Sequence, residues 1–211
     1  MTEAKAAMSS PTHKGAEGNL LVAILALQGA FAEHESILRI LGVETVLIRN
    51  LDDWNRFISS LSDGKKGGAI IPGGESTAMM RIMRDEDLFG PIRSAILGGL
   101  PTFGTCAGLI MLDRKHLDVM DIAARRNAYG RQLGSFNAEE EFLGIGRVPM
   151  TFIRAPYIED AGPEVEILAK VDGKVVAARQ GNLLVTAFHP ELTDDSRIHE
   201  LFLSIVAGQG S

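Results

Sequence analysis

The chain has 211 residues, 45% of them hydrophobic and 23% charged, with a net charge of −6 and a pI near 5.4. That length suits one α/β domain with a sizeable core, and an acidic balance with no basic stripe excludes a general nucleic-acid binder. A lone cysteine rules out an intrachain disulfide, no metal-ligand spacing appears and no apolar run is long enough to span a membrane, so the expected compartment is the cytoplasm.

Residues 1–18 are polar and rich in Ala, Ser and Gly, without the apolar stretch of a signal peptide or the arginines of a transit peptide. They read as a disordered leader ahead of one domain over residues 19–208. Leu20 to Leu27 is a continuous apolar run, the mark of a strand covered on both faces, and Gln28-Gly29 ends it. Phe31 to Leu41 sets Phe31, His34, Ile37, Leu38 and Leu41 at helical spacing, and Gly42 closes that helix. Val43 to Ile48 predicts a second strand and Asp52 to Leu61 a second helix. Ala69 to Ile71 predicts a third strand, which runs into Pro72-Gly73-Gly74-Glu75-Ser76-Thr77. Thr77 to Met83 and Leu88 to Leu97 read as helices, with Met79, Met80 and Met83 as a packing stripe. Pro101 to Phe103 is a short strand and Leu109 to Leu112 a helix, with Gly104-Thr105-Cys106-Ala107-Gly108 between them. This alternation predicts an α/β fold with a mostly parallel sheet and helices on both faces, in three layers. Ligands of such sheets lie at the carboxyl ends of the strands, where Gln28, Gly73-Gly74 and Cys106 all fall.

Beyond Leu112 the texture changes to short β-prone runs: Val148 to Ile153, Val165 to Val171, Val175 to Ala178 and Leu183 to Phe188. Asp172-Gly173 and Gly181-Asn182 separate the last three, which predicts antiparallel hairpins in the C-terminal half. Asp194 to Val206 closes the chain as a helix with Ile198, Leu201, Phe202 and Ile205 on one face.

A cysteine between small residues, at a strand-to-helix turn, is the pattern of a nucleophile elbow. The helix start adds free N–H groups and a positive dipole end, which favour a thiolate. The bland alternative is a buried structural thiol. A cysteine nucleophile needs a base, and the base needs an orienting acceptor. His189 follows an apolar strand and Glu191 lies two residues on, past Pro190, so one turn could aim both at a single pocket; a solvated surface turn is the competing account. His34 falls on the inner side of its helix and reads as structural, while His13, His116 and His199 have no acidic or thiol context. Pro72-Gly73-Gly74 can offer backbone donors to an oxyanion, and the absence of a following Gly-Lys-Ser/Thr argues against a phosphate loop. Arg126 and Arg154 sit in short polar breaks and could clamp a substrate carboxylate, or be solvated charges.

Taken together, Leu27-Gln28-Gly29, Pro72 to Thr77, Gly104 to Gly108, Arg126-Asn127-Ala128-Tyr129-Gly130-Arg131-Gln132, Phe152-Ile153-Arg154-Ala155-Pro156 and Phe188 to Asp195 resemble the class I glutamine amidotransferases with a Cys-His-Glu triad. More narrowly, they are similar to the glutaminase subunits of pyridoxal phosphate synthase, from about Leu21 to Val206. The resemblance implies a flavodoxin-like sheet, with Cys106 as nucleophile, His189 as general base and Glu191 as orienting carboxylate. It implies glutamine contacts from Gly74, Glu75, Ser76, Arg126, Ile153 and Arg154, and an oxyanion region of Gly73, Gly74, Ala107 and Gln28. The implied reaction hydrolyses L-glutamine through a cysteine thioester, without a cofactor, and passes ammonia to a separate synthase subunit of a lyase complex. No nucleic acid or membrane enters it. The Arg-Asn-Ala-Tyr-Gly-Arg-Gln stretch argues against a glutaminase of histidine biosynthesis, and a catalytically silent subunit of the same fold stays open. One departure stands out: Asp113 to Val119 is shorter than the family usually has.

Overall fold

The computed structural model describes residues 19–126 and 134–208. The leader 1–18 and most of the stretch from Arg126 to Gln132 lie outside the described residues. Continuous apolar sequence becomes fully covered strand: β1 (Leu20–Leu25) is buried at every position. The chain then alternates through α1 (Phe31–Ile40), β2 (Glu44–Ile48), α2 (Leu51–Ser62), β3 (Lys66–Ile71), α3 (Ser76–Asp85), α4 (Phe89–Leu97), β4 (Thr102–Thr105) and α5 (Ala107–Leu112). Local chemistry sets several boundaries. Asn50 caps α2 by accepting from Asp53 N–H, and Glu75 caps α3 by accepting from the N–H groups of Thr77 and Ala78.

After α5 come β5 (Ile122–Arg125), β6 (Ser135–Phe142), β7 (Gly146–Ile153), β8 (Tyr157–Ala161), β9 (Glu166–Val171), β10 (Lys174–Gln180) and β11 (Leu183–Thr186). A 3-10 turn (Pro190–Leu192) and α6 (Arg197–Ala207) finish the fold. The main sheet runs β2-β1-β3-β4-β11-β10-β8-β5, with β9 also on β10. β1, β2, β3, β4 and β11 pair in parallel, and β10 pairs antiparallel with β11, β9 and β8. The expected hairpins at Asp172-Gly173 and Gly181-Asn182 are therefore present. Helices cover both faces: a Cβ on Gly67 would run into Leu61 of α2, and one on its neighbour Gly68 into Phe202 and Val206 of α6. Successive residues of a strand point to opposite faces.

β5, β6 and β8 are not predicted by the sequence pattern. β6 carries Glu139, Glu140 and Glu141 in succession and pairs only with β7, in a separate two-stranded sheet. It is held by packing at alternate positions, where Phe136 stacks on Phe152 with ring centroids 4.5 Å apart. The short segment after α5 is firmly anchored. Asp113 is fully buried, and its carboxylate accepts from His116 Nδ1, the N–H of Lys115 and the N–H of Ala124. Met79, Met80 and Met83 are core, as their spacing predicts.

Candidate active site

β4 and β11 are parallel neighbours, and the residues that leave their carboxyl ends form the centre of the site. Cys106 is the hinge between β4 and α5. Its N–H donates to Thr186 O at 2.8 Å, extending the β4–β11 ladder by one bond. Its backbone is at φ 48°, ψ −98°, a conformation that L residues avoid, so the turn holds local strain. Tightness explains the small neighbours: a Cβ on Gly108 would strike the Ile71 carbonyl, and one on Gly104 would lie 2.7 Å from Gly108 C. The thiol is 8% exposed and its Sγ lies 3.9 Å from Ile153 O. α5 begins at Ala107 without a side-chain cap, so its first N–H groups belong to an open helix end beside the thiol.

His189 follows β11 and is fixed at its backbone by donation to Thr151 O of β7. Its Nδ1 is 2.7 Å from Glu191 Oε1, a pairing that the His-Pro-Glu spacing and the 3-10 turn make possible. Burial alone would lower its pKa, but hydrogen bonding and charge from Cys106 and Glu191 outweigh this and push it up to about 10. Glu191 lies behind His189 with its side chain wholly buried. Burial works against its charge, and the hydrogen bond and positive charge of His189 hold it below the ordinary carboxylate range all the same.

In front of Cys106 and His189 opens a cavity of about 400 Å³. Gln28, Gly73, Gly74, Glu75, Ser76, Ala107, Arg126, Ile153 and Arg154, all expected at the site, line it, together with Gly29, Ala30, Ile110 and Pro156. Two glycine turns meet at its edge. Gly73 O accepts from Ala30 N–H at 3.0 Å, and a Cβ on Gly29 would collide with that carbonyl. Gln28 Oε1 accepts from Glu75 N–H at 2.7 Å, tying the end of β1 to the turn after β3. The Glu75 carboxylate is turned to the N–H groups of Ala78 and Thr77, which lower its pKa. Arg126 donates to Thr77 Oγ1 at 3.2 Å and stays exposed. Arg154 is exposed as well, with φ 45°, its N–H donating to Gly134 O. The Asp113 to Val119 segment does not line the cavity. Among the described residues no cluster of three or more His, Cys, Asp or Glu side chains is set to hold a metal ion, and no helix is long and apolar enough to cross a membrane.

The sequence pattern missed two neighbours of the buried carboxylate. His34 Nε2 lies 3.5 Å from Glu191 Oε2, and His199 hydrogen-bonds His34. His34 is on α1 and His199 on α6, so only the packed fold brings them to the carboxylate.

A thiol on a strained strand-to-helix turn, beside an imidazole and its buried carboxylate on a mostly parallel α/β sheet, is the layout of the glutamine amidotransferases. The chain belongs to the SNO glutamine amidotransferase family, whose model matches residues 24–207. It is 56% identical over 191 residues to the pyridoxal 5'-phosphate synthase subunit PdxT of Streptococcus pneumoniae strain CGSP14, covering 87% of this chain and 96% of that protein. The same subunit from strain ATCC 700669 / Spain 23F-1 is 55% identical over the same span. Among solved structures, a crystal structure of a glutamine amidotransferase is 38% identical and matches with a TM-score of 0.78 over 88% of this chain and 98% of its own. A chain of PurLQS from Thermotoga maritima, 15% identical, shares the fold alone, with a TM-score of 0.58 over 90% of this chain and 96% of that one.

Proposed function

We propose that the chain is the glutaminase subunit of a pyridoxal 5'-phosphate synthase, acting in the cytoplasm as one catalytic domain over residues 19–208. It hydrolyses L-glutamine to L-glutamate and ammonia and delivers the ammonia to a synthase subunit. The observation that carries this reading is the alignment of Cys106, His189 and Glu191 behind a cavity of about 400 Å³, large enough for an amino acid.

Cys106 gives its thiol proton to His189, and Sγ attacks the side-chain carbonyl carbon of glutamine, forming a C–S bond as the C=O π pair moves onto the oxygen. The oxyanion is met by backbone N–H groups of the Gly73-Gly74 turn and of Ala107. His189 holds a proton at neutral pH, consistent with its raised pKa, and gives it to the departing nitrogen as the C–N bond breaks and ammonia leaves. The neutral ring then takes a proton from water, whose oxygen attacks the thioester. The C–S bond breaks, the proton returns to the Cys106–His189 pair and glutamate is released. Glu191 holds the ring through Nδ1 and leaves Nε2 toward the thiol. Arg126 and Arg154 supply positive charge for the α-carboxylate of glutamine at the mouth of the cavity. Gly74, Glu75, Ser76 and Ile153 shape the rest of the subsite.

The test is glutamate release from glutamine by the purified chain, with and without a cognate synthase subunit. Wild-type turnover that is lost in Cys106→Ala supports the reading; turnover that persists in Cys106→Ala overturns it.

A further inference from the structure

Glu191 has its Oε1 occupied by His189. Its other oxygen, Oε2, is fully buried without a well-formed hydrogen bond, and His34 Nε2 stands 3.5 Å from it. The same Nε2 is 3.2 Å from Thr105 Oγ1, on the residue before Cys106. The other ring nitrogen of His34, Nδ1, is 2.9 Å from His199 Nε2. Among the described residues His199 Nδ1 has no partner. All three of His34, Thr105 and His199 are 0% exposed and come from α1, β4 and α6.

Burial lowers the pKa of His34, and that of His199 to about 3, so both rings are neutral. One proton is therefore shared between Nδ1 of His34 and Nε2 of His199, and it can be placed in two ways. If His34 donates, its Nε2 lone pair faces the Glu191 carboxylate and His199 Nδ1–H becomes a buried donor with no acceptor. If His199 donates, His34 carries its proton on Nε2, aimed at Thr105 and Glu191, and His199 is left only with a bare lone pair. The first arrangement has two faults and the second a milder one, since a buried orphan N–H and a lone pair opposed to a carboxylate are both costly.

We infer that His34 and His199 are positioning residues for the glutaminase reaction: a chain of donors, His199 to His34 to Glu191, fixes the carboxylate that fixes His189. The inference rests on the proposed function. It assigns one tautomer to each ring. His34 puts the positive end of its Nε2–H dipole beside the oxygen that His189 does not hold. The carboxylate stays ionised and cannot rotate, so the Nδ1–H of His189 keeps its acceptor.

The experiment uses the full chain with a cognate synthase subunit and compares His34→Gln with His34→Asn. Glutamine can place an amide donor where Nε2 stands; asparagine reaches only the Nδ1 position. Asparagine should lower kcat about ten-fold or more with KM nearly unchanged, and glutamine should stay within about three-fold of wild type. In a Glu191→Gln background the difference between the two should disappear, because the group they act through is gone. Equal kcat in folded His34→Gln and His34→Asn, or a difference that persists without Glu191, overturns the inference. Should either fail to fold, the same split is read from His199→Gln, which can retain a donor, against His199→Leu, which cannot; equal kcat there overturns it too. A wild type without glutamine hydrolysis would overturn the proposed function instead, so the two failures are distinct.

Discussion

Gly73→Ala tests whether the site depends on the close approach of the glycine turn to the imidazole. Gly73 is not at positive φ, so alanine meets no backbone penalty there and the added methyl is the whole perturbation. Its Cβ would stand 2.9 Å from Nδ1 and 3.3 Å from Nε2 of His189, and closer still to Cε1. The ring has little freedom to yield: it is 6% exposed, bonded to Glu191 at 2.7 Å and tied at its backbone to Thr151. Moving the turn instead strains the Ala30–Gly73 hydrogen bond. Relief requires about 1 Å of displacement between turn and ring, a misplacement that costs on the order of 100-fold in rate. We therefore expect kcat to fall about 100-fold, with KM changed less than about three-fold because the methyl meets the imidazole and not the arginines proposed to hold the glutamine carboxylate. Gly74→Ala is the control. Its Cβ would meet Gln28 Oε1 at 2.6 Å, Met79 Sδ at 3.0 Å and the Gln28 carbonyl oxygen at 3.3 Å, but not the His189 ring, so its loss of kcat should be smaller. Glutamate release in the presence of the synthase, with thermal melting to confirm folding, reads both. A folded Gly73→Ala with kcat within about three-fold of wild type, or a larger loss in Gly74→Ala, would refute the reasoning.

Other outcomes follow from the same geometry. Cys106 should be the residue labelled by a glutamine analogue with an electrophilic side chain, and Cys106→Ala should abolish both labelling and hydrolysis while remaining folded; label found elsewhere would displace it as nucleophile. Arg154→Gly should raise stability by about 1 kcal/mol, since glycine occupies this left-handed conformation without the penalty an L side chain carries, yet raise KM for glutamine; unchanged KM in this variant and in Arg126→Ala would remove both arginines from the substrate site. Stability should peak near pH 6.5. Above it, His189 is protonated in the folded state but not in the unfolded one, so stability falls as pH rises toward about 10; below it, the unfolded chain binds more protons at His34 and His199, so stability falls as pH drops. His189→Asn should flatten the alkaline limb in pH-dependent melts, and a profile unchanged by that substitution would contradict the pairing. Hydrolysis by the isolated chain should be slow and rise in kcat when the synthase docks, through reorientation of the Gly73-Gly74 peptides held by Gln28 and Ala30; equal kcat with and without a bound synthase would rule out such gating.

The first half of the fold was readable because β1 and the Ala69–Ile71 end of β3 are buried apolar runs and the helices between them have clear apolar faces. The elbow and the His-Pro-Glu turn were readable because their chemistry is local: two or three neighbouring residues carry it. β6 was not, since three consecutive glutamates hide its alternation, and its stability comes from Phe136 meeting Phe152 on another strand. β5 and β8 are short, and their pairing with each other is a long-range fact. His34 shows the limit most clearly. Its inward position on α1 follows from spacing, but that it would face Glu191 depends on where α1, α6 and the turn after β11 are packed. No spacing within one element encodes a meeting of three.

The ladder that places Cys106 beside His189 also sets when in the life of the chain the site can exist. β4 is made well before β11 and pairs with β3, but its other edge stays open until β11 is synthesised. Until then the N–H of Cys106 lacks its Thr186 acceptor and the imidazole has not left the ribosome. A nascent or C-terminally clipped chain thus carries the thiol without the imidazole proposed to activate it. On the proposed mechanism such a fragment cannot release ammonia. It exposes instead an unpaired strand edge in the middle of a future sheet, the kind of surface on which incomplete chains aggregate.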